Sequence, residues 1–296
     1  MENTRDRSIV VTGATAGIGF QTALDFASSG AFVIGIGRNP QRCAEAKTKI
    51  LSIHPDARVE FAIADLSSQQ EVRLLAKQIY HSLEDNNFST LDVLVNNAGL
   101  YVGKKDLTVD GIETTFAVNH LAPFLLTHLL MPLLEKSPTS RVITVSSESH
   151  YNTNFVPERA ANPRFFFGLT AYKVSKLANI LFSLELNRLR AGRSPRAFAV
   201  DPGLVNTEIG MKNTGGLAKL VWRSRKHLGV SPEVPAATIR FLADHDEVLD
   251  SGEIYWRESQ PKNPSRAALD PKLAKRLWKE SCRLCGVAEN REGERR

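Results

Sequence analysis

Two side chains with acid-base chemistry, Tyr172 and Lys176, lie four positions apart in a stretch that should form a helix. The stretch 171–189 lacks Gly and Pro and carries apolar residues at helical spacing, so both side chains should share one helical face. A free phenol has a pKa of about 10 and is a slow acid-base catalyst near neutral pH. An adjacent ammonium group would lower that pKa, which would let the phenol exchange a proton with an alcohol or a carbonyl. Because many helices contain such a pair by chance, other parts of the chain must support this interpretation.

The elements that would position this pair alternate along the chain. Strand candidates, which are short, apolar and rich in β-branched residues, are 8–12, 31–36, 59–64, 91–96, 141–146, 197–201 and 253–256. Helical patterns separate them at 18–28, 41–53, 69–84, 111–134, 171–189 and 232–243. Repeated β-α-β units predict a single Rossmann-type α/β domain over residues 1–288, with a doubly wound parallel sheet of about seven strands flanked by helices. We expect residues 289–296 to be a disordered basic tail.

Composition places the chain among ordinary soluble globular proteins. Of its 296 residues 42% are apolar and 24% are charged, and its first residues contain no apolar signal-peptide core. Its three cysteines do not make a disulfide framework, and we therefore expect a cytoplasmic protein. Cys282 and Cys285 form a C-x-x-C pair without a second pair or a nearby histidine, so two cysteines on a helix are favoured over zinc ligands. We expect no metal site.

The sequence gives little support for a membrane or a nucleic acid as a partner. The most apolar stretch, 116–134, is interrupted by polar residues, which favours a buried helix over a membrane span. Residues 257–296 hold 11 Lys and Arg against 6 Asp and Glu. A basic amphipathic helix there could rest on an anionic membrane, but a helix packed on the domain is favoured, so we expect at most weak peripheral membrane contact. Nucleic-acid binding has no aromatic platform or motif to support it.

A glycine-rich turn, TGATAGIG at 12–19, follows the first strand candidate and leads into a helix. Glycines let the backbone approach a pyrophosphate, and the helix N-terminus supplies free N–H groups and positive potential. The spacing is G-x-x-x-G-x-G rather than the usual G-x-G-x-x-G, and a glycine-rich turn without a ligand remains the alternative. The candidate cofactor-binding residues in this turn are Gly13, Thr15, Gly17, Ile18 and Gly19.

The end of the second strand indicates which dinucleotide would bind. An acidic residue there would accept hydrogen bonds from the ribose 2′-OH of NAD, but this chain has Gly37, Arg38 and Asn39. A guanidinium at Arg38 suits a 2′-phosphate, although it could also be a solvated loop arginine. The pattern therefore favours NADP(H).

Two further strand ends carry candidate cofactor contacts. Asp65 and Leu66 follow the third strand candidate, and Asn97, Ala98 and Gly99 follow the fourth. Ligands of open α/β sheets bind at the carboxyl ends of the strands. Asp65 could accept a hydrogen bond from an adenine amino group, and the second run would bring the backbone close to the cofactor.

Asn119 and Ser147 could complete a proton-transfer site. Pro123 lacks an N–H group, so the Asn119 carbonyl loses its helical partner and could hold a water that leads to Lys176. A kink that merely fits the core is the alternative. Ser147 lies at the end of the fifth strand candidate, where its hydroxyl could orient a substrate oxygen beside Tyr172.

Three consecutive phenylalanines, 165–167, precede the catalytic helix candidate. Such an apolar run should not be left in water, so we expect either a core plug or the wall of an apolar substrate pocket.

Together these motifs resemble the short-chain dehydrogenase/reductase superfamily. The resemblance spans residues 8 to about 287 and rests on TGATAGIG, NNAG at 96–99, Asn119, Ser147, Tyr172-x-x-x-Lys176 and Pro202-Gly203. The segments DGIETTFAVNHLAPFLLTHLLMPLL, SKLANILFSLEL and ALDPKLAKRLWKESCRLCG are similar to the retinol dehydrogenase-type branch. That branch acts on retinoids, steroids and other apolar carbonyl compounds.

The resemblance implies a role for each site residue. Tyr172 would be the general acid-base, and Lys176 would lower its pKa and bind the nicotinamide ribose. Ser147 would orient the carbonyl, and Asn119 would complete the relay. Ser147 is preferred to Ser146 because the family's serine lies one step beyond the last buried strand position.

The resemblance also implies contacts near the nicotinamide end, at Pro202, Gly203 and Thr207. Many members of the branch carry His where this chain has Asp201, which would alter the local hydrogen bonding. Many also have an N-terminal membrane anchor, which we do not expect here, and this puts a retinoid substrate in doubt. The segment 204–230 would be an apolar substrate lid.

Two classes of function follow. The first is an NADP(H)-dependent oxidoreductase that transfers a hydride between nicotinamide and an apolar carbonyl or alcohol, mainly as a carbonyl reductase. The second is a non-enzymatic dinucleotide-binding sensor or scaffold on the same fold. The complete set Asn119, Ser147, Tyr172 and Lys176 favours the enzyme.

The helices 171–189 and 111–134 are more apolar than one sheet face requires, which predicts a homodimer.

Overall fold

A computed structural model describes residues 7–205 and 229–289. Within them, the strands form one eight-stranded sheet in the order β3-β2-β1-β4-β5-β6-β7-β8. Neighbouring strands run parallel except for the antiparallel pair β7 and β8. The strands are β1 Ser8–Thr12, β2 Phe32–Gly37, β3 Val59–Ile63, β4 Val93–Asn96, β5 Arg141–Val145, β6 Arg196–Val200, β7 Tyr255–Arg257 and β8 Gln260–Pro261.

The described ranges contain seven helices of at least 12 residues, six between strands and one after the last strand. They are α1 Gly17–Ser28, α2 Pro40–Ile53, α3 Gln69–Asp85, α4 Thr114–Leu134, α5 Gly168–Arg190, α6 Glu233–Asp244 and α7 Pro271–Cys285. Local capping sets several boundaries. Asn39 accepts the N–H of Arg42 at the start of α2, and Asp270 accepts the N–H of Lys272 at the start of α7. Helix α7 ends at Gly286, which has a φ of 59°.

Both faces of the sheet are buried, as the continuous apolar strands predict. In β1, Ile9 and Val11 face the core beneath α1, α2 and α6, whereas Val10 faces the core beneath α3, α4, α5 and α7. All three side chains are fully buried. The predicted single, doubly wound, parallel α/β sheet is therefore confirmed. The additional strand β8 was not predicted, because a two-residue strand that contains a proline has no recognisable pattern.

Helix α4 is long and apolar enough to cross a membrane, but 83% of its most apolar window is buried inside the protein. It contains a π-helical turn at Ala117–Leu121, immediately before Pro123. Because proline supplies no N–H group, the regular helical hydrogen bonding is interrupted there. The helix is packed in the core, as its polar interruptions predict.

Helix α7 covers the apolar face of α4 and α5. The ring centroid of Trp278 lies 6.0 Å from that of Phe182 and 5.0 Å from that of Phe124. Helix α7 thus buries much of the apolar surface of α4 and α5 within one chain, and the homodimer stays a prediction. The apolar face of α7 is buried as well, which agrees with the favoured interpretation of a helix packed on the domain.

The phenylalanine run does not plug the core. Phe165 is 75% exposed and Phe167 is 69% exposed in the loop that leads into α5, so that alternative was wrong. The Arg164 guanidinium lies 5.5 Å from the Phe165 ring centroid, and the run belongs to the surface around the start of α5.

Candidate active site

The strand order reverses at β1, which pairs with β2 on one side and β4 on the other. A crevice opens at such a switch point, outside the carboxyl ends of the strands. Thr12 joins the two turns that border it. Its Oγ1 accepts the N–H of Asn97 at 2.9 Å and the N–H of Ala98 at 3.0 Å. The two predicted cofactor-binding segments therefore lie side by side.

The glycines of the first turn are required by both conformation and space. Gly13 and Gly17 have φ values of 68° and 56°, which most other residues avoid. A Cβ at Gly19 would lie 2.3 Å from Asn97 Nδ2 and 2.3 Å from the Gly13 carbonyl oxygen. Thr15 is part-buried beside this turn, and Ile18 is buried in the core under α1. The backbone N–H groups at the start of α1 thus remain accessible to a pyrophosphate.

The substitution Gly19→Ala should raise the dissociation constant for NADPH at least about tenfold. The new methyl group displaces either the Gly13 carbonyl or the Asn97 amide, which donates to the Thr12 carbonyl at 2.8 Å. Fluorescence titration measures the effect, and Ser28→Ala at the far end of α1 is the control. Unchanged binding by a folded Gly19→Ala protein would show that the cofactor does not approach this turn.

Neighbouring side chains crowd the position of Gly37. A Cβ there would lie 2.6 Å from Thr15 Cγ2 and 2.7 Å from Cys43 Sγ, so any side chain at this position, an acidic one included, would require both neighbours to shift. Arg38 is exposed and makes no hydrogen bond or ion pair within the described part of the chain. Asn39 is occupied as the cap of α2, because its Oδ1 accepts the N–H of Arg42 at 2.9 Å.

Asp65 and Leu66 are part-buried at the end of β3. Asp65 Oδ1 accepts the N–H of Ser67 at 2.9 Å, and the Asp65 N–H donates to Glu71 Oε2 at 2.6 Å. This turn orients the Asp65 carboxylate and leaves its second oxygen without a protein partner in the described residues.

Gly99, Asn119 and Lys176 converge at the centre of the crevice. A Cβ at Gly99 would lie 3.4 Å from Asn119 Oδ1 and 3.6 Å from Lys176 Nζ. The Asn119 side chain is fixed, since Nδ2 donates to the Leu100 carbonyl at 2.9 Å and Oδ1 accepts the Leu100 N–H at 2.8 Å. Asn119 Nδ2 also lies 3.0 Å from Ser175 Oγ on α5, a contact that the sequence did not indicate.

The Tyr172 and Lys176 side chains lie together as their spacing predicts. Lys176 Nζ lies 5.5 Å from the Tyr172 ring centroid and donates to the Val145 carbonyl at 3.0 Å. Tyr101, which follows the NNAG motif, packs edge-on against Tyr172 with ring centroids 6.2 Å apart.

The pKa values of this pair differ from the expectation. Burial raises the pKa of Tyr172 to about 12, with the Ser147 hydrogen bond lowering it and the Asp201 charge raising it. Burial also lowers the pKa of Lys176 to about 8. The predicted lowering of the tyrosine pKa by Lys176 is therefore not seen, because burial favours the neutral form of each group. At neutral pH the structure holds a phenol beside an ammonium group.

The two serines at the end of β5 make different hydrogen bonds. Ser146 is buried, and its hydroxyl donates to the Lys176 carbonyl at 2.7 Å, which ties β5 to α5. The Ser147 hydroxyl accepts the N–H of Ser149 at 3.1 Å and interacts with the Tyr172 hydroxyl. This arrangement supports the choice of Ser147 as the residue that meets the substrate.

The loop after β6 forms the last wall of the crevice. Gly203 has a φ of 68°, and its N–H donates to Asp201 Oδ1 at 3.0 Å across Pro202. Thr207 and most of the predicted lid lie outside the described residues. Asp201 bonds to several groups here, and the only sequence signal for it was its place before Pro202-Gly203.

The fold and this constellation define a dinucleotide-binding oxidoreductase site. The family model for short chain dehydrogenases matches residues 7–217. Retinol dehydrogenase 13 from Homo sapiens is 35% identical over 291 residues, covering 95% of this chain and 85% of its own length. Polyprenol dehydrogenase from Homo sapiens is 33% identical over 294 residues, and the alignment covers 96% of this chain and 86% of that protein. A crystal structure of an uncharacterized protein from Mycobacterium paratuberculosis aligns with a TM-score of 0.71 at 32% identity, covering 96% of this chain and 95% of that one. The chain belongs to the short-chain dehydrogenase/reductase family and to its retinol dehydrogenase-like branch.

Proposed function

We propose that this protein transfers a hydride between NADP(H) and an apolar carbonyl or alcohol, mainly as a carbonyl reductase. The observation that carries the proposal is the convergence of Asn119, Ser147, Tyr172 and Lys176 at the carboxyl end of the sheet, beside the glycine-rich turn. A sensor or scaffold needs the turn but not a complete proton relay.

The residues present fit a nicotinamide dinucleotide, which supplies the hydride when it is bound. The Ser147 hydroxyl donates a hydrogen bond to the substrate carbonyl oxygen and orients it. Tyr172 gives its proton to that oxygen as the carbonyl carbon gains the hydride, so an alcohol forms and a phenolate remains. The Lys176 ammonium stabilises this phenolate. A water held near Asn119 connects Lys176 to solvent, so that the phenolate regains a proton.

The preference for NADP(H) rests on Gly37 and Arg38. Thr15 and Cys43 crowd position 37, which carries no carboxylate, and the Arg38 guanidinium is exposed and can pair with a 2′-phosphate. For the same reason, reversal of the preference needs more than Gly37→Asp, because the new side chain would collide with both neighbours.

Replacing Arg38 by Ala should weaken NADPH binding about ten- to a hundredfold and leave NADH binding unchanged. The variant removes a charge-assisted bond of about 1.5–3 kcal/mol that only the 2′-phosphate can make. Titration with both reduced cofactors measures this effect. Lys47→Ala removes an equal charge farther along α2 and should change neither affinity. Equal loss of both cofactors would contradict the assignment.

An apolar substrate is supported by the exposed apolar residues that precede Tyr172 in the chain. Phe165, Phe167 and Leu169 are all more than half exposed at the start of α5. The names of two relatives, retinol dehydrogenase 13 and polyprenol dehydrogenase, indicate long apolar alcohols as their substrates. We infer a retinoid-, steroid- or xenobiotic-like compound for this chain.

A panel assay tests the proposal. Purified protein is incubated with NADPH and a set of apolar aldehydes and ketones that includes retinal, a steroid ketone and an aromatic ketone. Short polar aldehydes serve as controls. We expect oxidation of NADPH with at least one apolar member and a much lower rate with the polar ones. Tight NADPH binding without any turnover would favour the sensor or scaffold.

A further inference from the structure

An ion pair between a fully buried carboxylate and a partly exposed lysine lies next to the candidate catalytic serine in the fold. The Asp201 side chain has no exposed surface, and its Oδ2 accepts a hydrogen bond from Lys262 Nζ at 2.7 Å. Lys262 also lies 3.2 Å from Glu148 Oε1, and Arg257 Nη1 lies 3.9 Å from Asp201 Oδ2. Such a pair adds little to stability, because the cost of desolvating the Asp201 carboxylate offsets much of the attraction. Its position therefore calls for another role.

The second oxygen of Asp201 joins two loops. Asp201 Oδ1 accepts the N–H of Glu148 at 3.2 Å and the N–H of Gly203 at 3.0 Å. Glu148 directly follows Ser147, and Gly203 belongs to the loop assigned to the nicotinamide end of the cofactor. One carboxylate oxygen thus fixes the separation between the serine that would orient the substrate and the loop that would hold the cofactor.

A second contact holds the same serine from its carbonyl side. His150 Nδ1 lies 2.8 Å from the Ser147 carbonyl oxygen, and His150 Nε2 accepts the N–H of Ser265 at 3.0 Å. Since Nε2 accepts, Nδ1 must carry the proton and donate to Ser147. His150 and Asp201 thus both hold the segment around Ser147, and Asp201 also accepts a hydrogen bond from Gly203 in the loop assigned to the cofactor.

The charge state of Asp201 agrees with this arrangement. Burial alone would raise its pKa, but the hydrogen bond and charge of Lys262, with the Gly203 N–H, hold the pKa below its usual value. Asp201 is therefore ionised at neutral pH and accepts hydrogen bonds on both oxygens.

We propose that Asp201 is a positioning residue for hydride transfer, which sets the placement of Ser147 relative to the cofactor loop through Oδ1. Lys262 is its counter-ion. This role rests on the proposed function above. Because a misplacement of about 1 Å can slow a reaction about a hundredfold, loss of this contact should act on the chemical step rather than on substrate binding.

Two variants separate the contact from the charge. Asp201→Ala removes both acceptor oxygens, and should lower kcat about ten- to a hundredfold with little change in KM. Asp201→Asn keeps one acceptor oxygen for the two N–H groups, but its NH2 group would face the Lys262 ammonium, so it is combined with Lys262→Met. This double variant should regain most of the lost kcat. Should Asp201→Ala not fold, Asp201→Ser replaces it, because the short hydroxyl cannot reach both loops.

The decisive readout is the primary isotope effect on kcat with deuterated NADPH. A slower chemical step should raise the isotope effect in Asp201→Ala above that of the wild type. Destabilisation of the fold would instead lower the amount of active protein and leave the isotope effect unchanged. Asp244→Ala, which breaks the 2.9 Å ion pair with Arg7 in another part of the fold, is the control.

The outcomes are distinguishable. Wild-type kcat and isotope effect in Asp201→Ala, or an Asp201→Asn/Lys262→Met variant as impaired as Asp201→Ala, would overturn the role of Asp201 alone. A wild type without turnover on the substrate panel would overturn the proposed function and this role together.

Discussion

Replacement of Tyr172 by Phe should lower kcat for carbonyl reduction by about 10²–10⁴-fold and leave the affinity for NADPH nearly unchanged. The hydroxyl carries the proton that the substrate oxygen receives, whereas the ring, which packs against Tyr101, is retained. The phenol suits this task, because a pKa raised to about 12 keeps it protonated over the whole range in which the protein would be assayed.

The matched control for this variant is Tyr80→Phe. It removes a hydroxyl that donates to the Leu129 carbonyl of α4 at 3.3 Å. Its kcat should equal that of the wild type. A Tyr172→Phe protein that kept more than about a tenth of wild-type kcat would exclude Tyr172 as the general acid.

Replacement of Lys176 by Met should lower kcat/KM by about 10²–10³-fold, as expected for loss of a preorganised charge at the reacting group. Lys176 is 4% exposed, and its ammonium group points to the Val145 carbonyl and to the space beside Gly99. Lys173→Met is the control, since that neighbouring lysine donates instead to the Asn152 carbonyl at 3.3 Å.

The pH profile gives this prediction a second readout. Because burial lowers the pKa of Lys176 to about 8, the ammonium is present below that pH and is lost above it. Tyr172 stays protonated throughout, so wild-type reductive kcat/KM should be constant below about pH 8 and fall above it. The Lys176→Met variant should lack this fall. A wild-type profile that is flat to pH 10 would mean that Lys176 keeps its proton or does not contribute.

Local patterns were sufficient to predict the sheet and much of the crevice. The strands are buried on both faces, so they read as continuous apolar runs, and their carboxyl ends must lie at one edge of a parallel sheet. This is why the glycine-rich turn, Asn97 and Ser147 could be placed at one edge of the sheet from the sequence alone. The helical spacing of Tyr172 and Lys176 likewise fixed their neighbourhood.

Features that depend on distant segments could not be predicted. The pKa of Tyr172 depends on burial and on Asp201, neither of which the helix itself reveals. Crowding at Gly37 comes from Cys43 and Thr15, which belong to two different elements. The packing of α7 on α4 and α5 depends on the contacts of Trp278 with Phe124 and Phe182, which are far away in the sequence.

Transfer of deuterium from the nicotinamide to a substrate tests the central claim most directly. The protein is incubated with NADPH deuterated at the transferable position and with the apolar carbonyl panel, and the products are analysed by mass spectrometry. We predict an alcohol that contains one deuterium in the wild-type reaction and its loss with Tyr172→Phe. Saturating NADPH binding with no deuterium in any product would contradict the assignment of this protein as a carbonyl reductase.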